Sequence, residues 1–122
     1  MDATGALLRE GFGRHGLVEM DRLAAAVRVT KAELANLAGL SRDAVSRTAR
    51  ATSPATQARL RDVVEILNRV QGWAGSPAQA LAWYRSQPLS GFGDRTAEEL
   101  VKEGRAEAVK RHLGRIAEGG YA

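Results

Sequence analysis

Residues 31–50 read KAELANLAGLSRDAVSRTAR. This stretch decides the fold, because three requirements of a helix-turn-helix fall in it at matching intervals. The two helices cross closely, so the first needs a small residue, and Ala35 supplies it. The turn needs a residue that tolerates positive φ, and Gly39 follows four residues later. The second helix needs a branched apolar anchor, and Val45 follows six residues after that. Leu34, Ala38 and Leu40 supply apolar filling. Thr30 and Glu33 have the spacing of a capping box, which opens the first helix over about 31–38. Ser41 is placed to cap the second, about 42–50.

With Val45 inward, the outward face of the second helix shows Ser41, Arg42, Ser46, Arg47 and Arg50. A recognition helix presents its N-terminal residues to base edges in the major groove. Arginine suits the O6/N7 edge of guanine, and serine reaches several bases or phosphate. Arg42 and Arg47 are therefore the candidates for base contact, and Arg50 and Lys31 for phosphate. The competing reading is an arginine-rich solvated face. Charge distribution favours the first. Net charge is +4 and the pI is near 10.1, and residues 41–61 hold five arginines against Asp43 alone. Residues 76–122 are close to balanced, with seven basic and six acidic side chains. The basic character is local, as in a nucleic-acid footprint.

Working outward, the pattern stays helical. Met20, Leu23, Ala24 and Val27 lie at helical spacing, while residues 1–17 read as an arm or an irregular lead-in helix. Ser53 at N-cap and Pro54 at N1 start a long helix, since proline's missing N–H costs nothing there. Leu60, Val63, Val64, Leu67 and Val70 make its apolar stripe, which ends near Gly72. Ser76 and Pro77 repeat the device for a helix carrying Leu81, Trp83 and Tyr84, closed by Pro88. PLSGFGDR is a loop. Thr96 and Glu99 form a second capping box, opening a short helix that stops at Gly104. A last helix spans about 105–118 with Val109, Leu113 and Ile116 inward. The chain is expected to be all-α: an arm at 1–17, a helix-turn-helix half at 18–74 and a helical half at 75–122. No flexible linker marks the seam near 73–76, so Leu67 and Trp83 should share one core.

Composition excludes several function classes. Cysteine is absent, so disulfides and thiolate chemistry are out. No apolar run approaches the about 18 residues that span a bilayer. The N-terminus has an acidic second residue and lacks a secretory apolar core, so a cytoplasmic protein without a membrane partner is expected. His15 and His112 have no cysteine or carboxylate at ligand spacing, which argues against a metal site. Glu98 and Glu99 sit in a helix first turn, where acids complement the dipole. GFG at 91–93 is too short to cradle phosphate. Trp73, Trp83 and Tyr84 read as core rather than a stacking platform. No nucleophile–base pair supports an enzyme.

The last third has a recognisable grammar. A helix with a central tryptophan ends at a proline, and a glycine-bearing loop leads to a short helix stopped by glycine. A final helix then runs into glycine and a short tail. Here it reads ALAWYRSQPLSGFGDRTAEELVKEG, then RAEAVKRHLGRIAEGGYA. Trp83, Pro88, Leu89, Gly91, Leu100, Gly104, Ile116 and Gly119 fit. Ala97 departs from it, since relatives often place proline there, and so does Arg95 after Asp94. Following a helix-turn-helix, this order resembles the Xre/MbcA/ParS antitoxins that pair with RES-domain toxins, over about residues 18–122.

The resemblance implies a protein that binds its operon's promoter through the N-terminal half and neutralises a toxin through the C-terminal half. The toxin in such pairs consumes NAD⁺, so the antitoxin needs no cofactor or catalysis of its own. Self-association through the helical domains is also implied, as a homodimer or a higher hetero-oligomer with toxin. The tail RIAEGGYA, residues 115–122, gains a role in this frame. Gly119 can close the helix, Gly120 frees the exit, and Tyr121 offers an apolar face with a hydroxyl. Arg115, Gly119, Gly120, Tyr121 and Ala122 are the candidate toxin contacts, set to enter the cleft and block NAD⁺. A frayed tail, or a Tyr121 folded back on the core, is the competing reading. The alternative function is a stand-alone helix-turn-helix regulator with a helical dimerisation domain and no toxin.

Overall fold

The computed structural model describes residues 11, 13, 16–46 and 51–119. The arm, apart from a few positions, lies outside them. The described elements are all α-helical: α1 (Met20–Val27), α2 (Lys31–Ala38), α3 (Asp43–Ser46), α4 (Pro54–Ala74), α5 (Pro77–Ser86), α6 (Ala97–Lys102) and α7 (Ala106–Gly119).

Local chemistry sets most of the boundaries. The Glu33 amide donates to Thr30 Oγ1 at 3.0 Å, and the Thr30 amide donates back to Glu33 Oε1 at 3.4 Å. The same reciprocal box links Thr96 and Glu99 at the start of α6. Ser53 and Ser76 accept from the Thr56 and Gln79 amides, each with proline at the next position. Such caps satisfy amides that the first turn would otherwise leave unpaired. Gln87 before Pro88 is extended, φ −83° and ψ 113°, which ends α5. Two boundaries differ from expectation. The α4 helix passes through Gly72 and closes at Gly75, because one glycine inside a helix costs only about 0.5–1 kcal/mol. Helix α3 starts at Asp43 rather than 42, and its expected continuation past Ser46 lies outside the described residues.

Helix α4 is the spine. It packs on α5, α7 and α2, while α1 packs on α5 and α2 packs on α6. The two sequence halves therefore interleave. A single buried cluster takes Leu23 and Val27 from α1, Leu34 and Leu37 from α2, Leu60 to Val70 from α4, Tyr84 from α5, Leu100 and Val101 from α6, and Val109 and Leu113 from α7. Leu67 is fully buried and Trp83 packs half-buried against the same cluster, so the shared core holds, with the tryptophan at its edge. The segment before α1 is tied to the spine by Gln57. Its side chain accepts from the Val18 amide at 2.8 Å and donates to the Val18 and Ala51 carbonyls at 3.0 and 2.9 Å.

The turn after α2 has no room for a side chain. Gly39 has φ 71° and ψ 29°. A Cβ there would lie 2.8 Å from Arg59 Nη1 and 3.3 Å from the Lys102 backbone. Gly39→Ala is expected to cost about 1–3 kcal/mol, from the left-handed conformation and the crowding together. Thermal denaturation of the variant measures it, and an unchanged Tm would contradict the close approach.

Candidate functional site

Of the expected DNA-facing residues, Lys31 opens α2, Ser41 and Arg42 precede α3, and Ser46 is the last residue of α3. Lys31, Ser41 and Arg42 are exposed. Lys31 pairs with Asp21 at 3.1 Å, both well exposed, so water and salt screen the pair and leave the ammonium available. The Ser46 backbone lies in α3, but the Val45 and Ser46 side chains, and all of Arg47 and Arg50, lie outside the described residues. Two arginines of the basic window are turned to structural use. Arg59 Nη1 donates to the Ala38 carbonyl at 3.0 Å, and Arg61 Nη2 donates to the Gly16 carbonyl at 3.0 Å. The positive window thus overstates the charge free to meet a partner.

Sequence reading missed what holds the turn. Tyr84 is fully buried, and its hydroxyl donates to the Leu37 carbonyl at 2.7 Å. With Arg59 on Ala38, the last two carbonyls of α2 are both held from outside the helix. Burial, then the nearby Glu98 carboxylate, pushes the Tyr84 hydroxyl far above its ordinary value, so it stays a donor. Glu98 bridges helices, reaching Arg85 at 3.5 Å and Lys102 at 2.9 Å. It does more than complement a dipole. A signal for Tyr84 was present: a tyrosine on a buried face needs a partner for its hydroxyl.

On the other side, α7 is clamped to the spine. Lys110 Nζ meets Asp62 and Glu65 at 2.8 Å each and Glu107 at 3.2 Å, and only 15% of its side chain is exposed. Burial lowers the Lys110 pKa, but its hydrogen bonds to Asp62, Glu65 and Glu107 outweigh this and raise it above the ordinary value. Phe92, from the loop before α6, packs edge-on to His112 at 5.9 Å and under Arg105 at 5.6 Å. Burial, and then Arg115, holds the His112 imidazole below its usual range. The unfolded chain therefore takes up that proton first as pH falls below about 6.5. Stability should be fully present above that pH and decline beneath it, and His112→Gln should flatten the decline in denaturant titrations.

The aromatic expectation needs correction at Trp73. That side chain is 39% exposed, the largest exposed apolar group among the described residues. It stands edge-on to Trp83 with centroids 5.9 Å apart. Its place in the last turn of α4 carries it past the packed face. Among the described residues no cluster of acids and histidines could hold a metal ion, and no helix is long and apolar enough to cross a membrane.

Residues 73–119 match the family described as the antitoxin Xre/MbcA/ParS C-terminal toxin-binding domain. The last third of the chain is similar to an antitoxin's toxin-binding part. No curated protein and no solved structure matches the chain. The matched stretch begins at the exposed Trp73, takes in α5 and α6, and ends with α7. The match supports an antitoxin with a toxin as partner. Within it Leu89 and Leu100 are buried and Ile116 packs on the core. Ala97 is fully buried. Of the candidate toxin contacts, Arg115 is exposed on α7 and Gly119 is its last residue. Gly120, Tyr121 and Ala122 lie outside both the match and the described residues.

Proposed function

We infer that this protein is a type II antitoxin that neutralises a RES-type, NAD⁺-consuming toxin and represses its own operon. The observation that carries the reading is the match at 73–119, on a segment whose helices complete the same core as the rest of the chain. In this reading residues 75–122 bind the toxin and residues 18–74 bind promoter DNA. The spacing of Ala35, Gly39 and Val45 supports the helix-turn-helix, and so do the buried Ala35 and the crowded Gly39 turn. Lys31, Ser41, Arg42, Ser46, Arg47 and Arg50 face DNA. Arg115 and the tail from Gly119 to Ala122 face the toxin's NAD⁺ cleft. The assembly is cytoplasmic and pairs protomers across an operator dyad.

The decisive experiment is co-expression with a neighbouring RES-domain gene, followed by pull-down and an NAD⁺ assay. A stable complex that stops NAD⁺ loss is expected. A protein that binds the promoter but neither holds the toxin nor protects NAD⁺ would leave the stand-alone regulator. On DNA, Arg47→Ala should cost about 1–3 kcal/mol and relax preference at one base position if the side chain reads a guanine. Equal losses on specific and random duplexes would assign Arg47 to phosphate instead.

A further inference from the structure

One concavity beyond these surfaces carries unpaired positive charge. It is an open trough of about 700 Å³, lined by Arg22, Ala25, Ala26 and Arg28 on one side and by residues 76–78 on the other. Among the described residues no carboxylate lines it. Asp21, next to Arg22 in sequence, is engaged by Lys31. The Arg22 and Arg28 side chains make no hydrogen bond or ion pair among the described residues.

Arg28 also stands in a costly backbone conformation. It closes α1 at φ 60° and ψ 46°, where an L side chain crowds the following carbonyl and glycine is the common choice. Its amide reaches back to α1, which any residue with an N–H could do. Among the described residues the guanidinium makes no polar contact in return for the strain. A side chain kept at such a position and left unpaired is a pointer to a use outside the fold.

The chemistry of the trough selects the kind of occupant. A small-molecule site needs several convergent polar groups to fix orientation. Here the Ser76 hydroxyl already accepts from the Gln79 amide at 3.1 Å. What remains is two cations over small apolar residues, which suits a polyanion. The trough also adjoins the helix-turn-helix. Arg28 lies two residues before Thr30, the cap of α2, and Lys31 follows in the first turn. The first helix of such a motif crosses the phosphate backbone.

We propose that Arg22 and Arg28 hold DNA phosphates flanking the bases read by α3, so that the footprint runs along α1 toward the start of α5. This rests on the helix-turn-helix reading above. It adds two arginines from outside the basic window of residues 41–61.

The test is binding as a function of salt, on a mixed-sequence duplex and on the inverted repeat upstream of the gene. Each phosphate contact contributes a slope of about 0.9 in log K against log salt. Arg22→Ala combined with Arg28→Gly should flatten the slope by about 2 on both duplexes, with equal loss of affinity and unchanged base preference. Arg28→Gly alone should weaken binding while leaving Tm equal or higher, because glycine suits the left-handed position. Arg28→Asn, which also tolerates that conformation, repeats the measurement should the glycine variant fold poorly. An unchanged slope in a folded double variant overturns the proposal and leaves the helix-turn-helix standing. Loss confined to the inverted repeat also overturns it, since phosphate contacts carry no sequence information. If the wild type binds neither duplex at low salt, the helix-turn-helix reading falls as well. Loss of toxin co-purification with an unchanged salt slope would give the trough to an acidic protein surface instead.

Discussion

Tyr84→Ala is expected to lower stability by about 3–5 kcal/mol, the cost of truncating a fully buried aromatic ring. The ring has no exposed surface, and it sits where α5 meets both the spine and the turn after α2. Emptying it leaves a cavity in the shared core. The Leu37 carbonyl loses the hydroxyl that donates to it at 2.7 Å in the same step. Against a typical domain stability of about 5–15 kcal/mol, the variant should lose roughly a fifth or more. Tyr84→Phe separates the two contributions. It keeps the packing and removes only the donor, and should cost about 1–2 kcal/mol for the unsatisfied acceptor. Denaturant midpoints with unchanged m-values would measure both. If Ala and Phe variants lost equally, the hydroxyl would be the whole effect and the packing account would be wrong. The Phe variant should also bind DNA less well than its stability loss explains, because Leu37 and Ala38 lead directly into the Gly39 turn.

Deleting residues 119–122 should abolish neutralisation while leaving helix content and promoter binding intact. Gly119 ends α7, and the buried contacts of that helix stop short of it, at Val109 and Leu113 with Ile116 half-buried. The deletion therefore removes little that the core needs. What it removes is a segment carrying one aromatic ring, Tyr121, the proposed toxin contact. Tyrosine brings a large apolar face and a hydroxyl on few rotatable bonds, a combination favoured at interface anchors. Tyr121→Ala alone should weaken toxin binding by at least about 2 kcal/mol, roughly thirtyfold, if the ring is such an anchor. A truncated protein that still protects cells and still stops NAD⁺ loss in a purified assay would rule out the plug. Inhibition would then come from a helical surface, and the exposed Trp73 beside Trp83 would be the first place to mutate.

The amino-acid sequence by itself determined where α2, α4, α5 and α6 begin. Thr30 with Glu33, Ser53 with Thr56, Ser76 with Gln79 and Thr96 with Glu99 each close within three residues. A cap is satisfied by its own neighbours, so it can be read without knowing the rest of the fold. The same holds for the apolar stripes of α1 and α4, whose period alone marks the buried face. Tertiary structure decided everything that joins one helix to another. Tyr84 reaches Leu37 across 47 residues, Lys110 reaches Asp62 across 48, and Arg59 reaches back 21 to Ala38. Periodicity says which face of a helix is buried but not which helix lies against it. An arginine at a given position can therefore meet a phosphate, a carbonyl or water with the same local sequence. Folding assigns Arg59 and Arg61 of the basic window to the scaffold, and it leaves the Arg22 and Arg28 side chains, outside that window, without a partner among the described residues along an open trough.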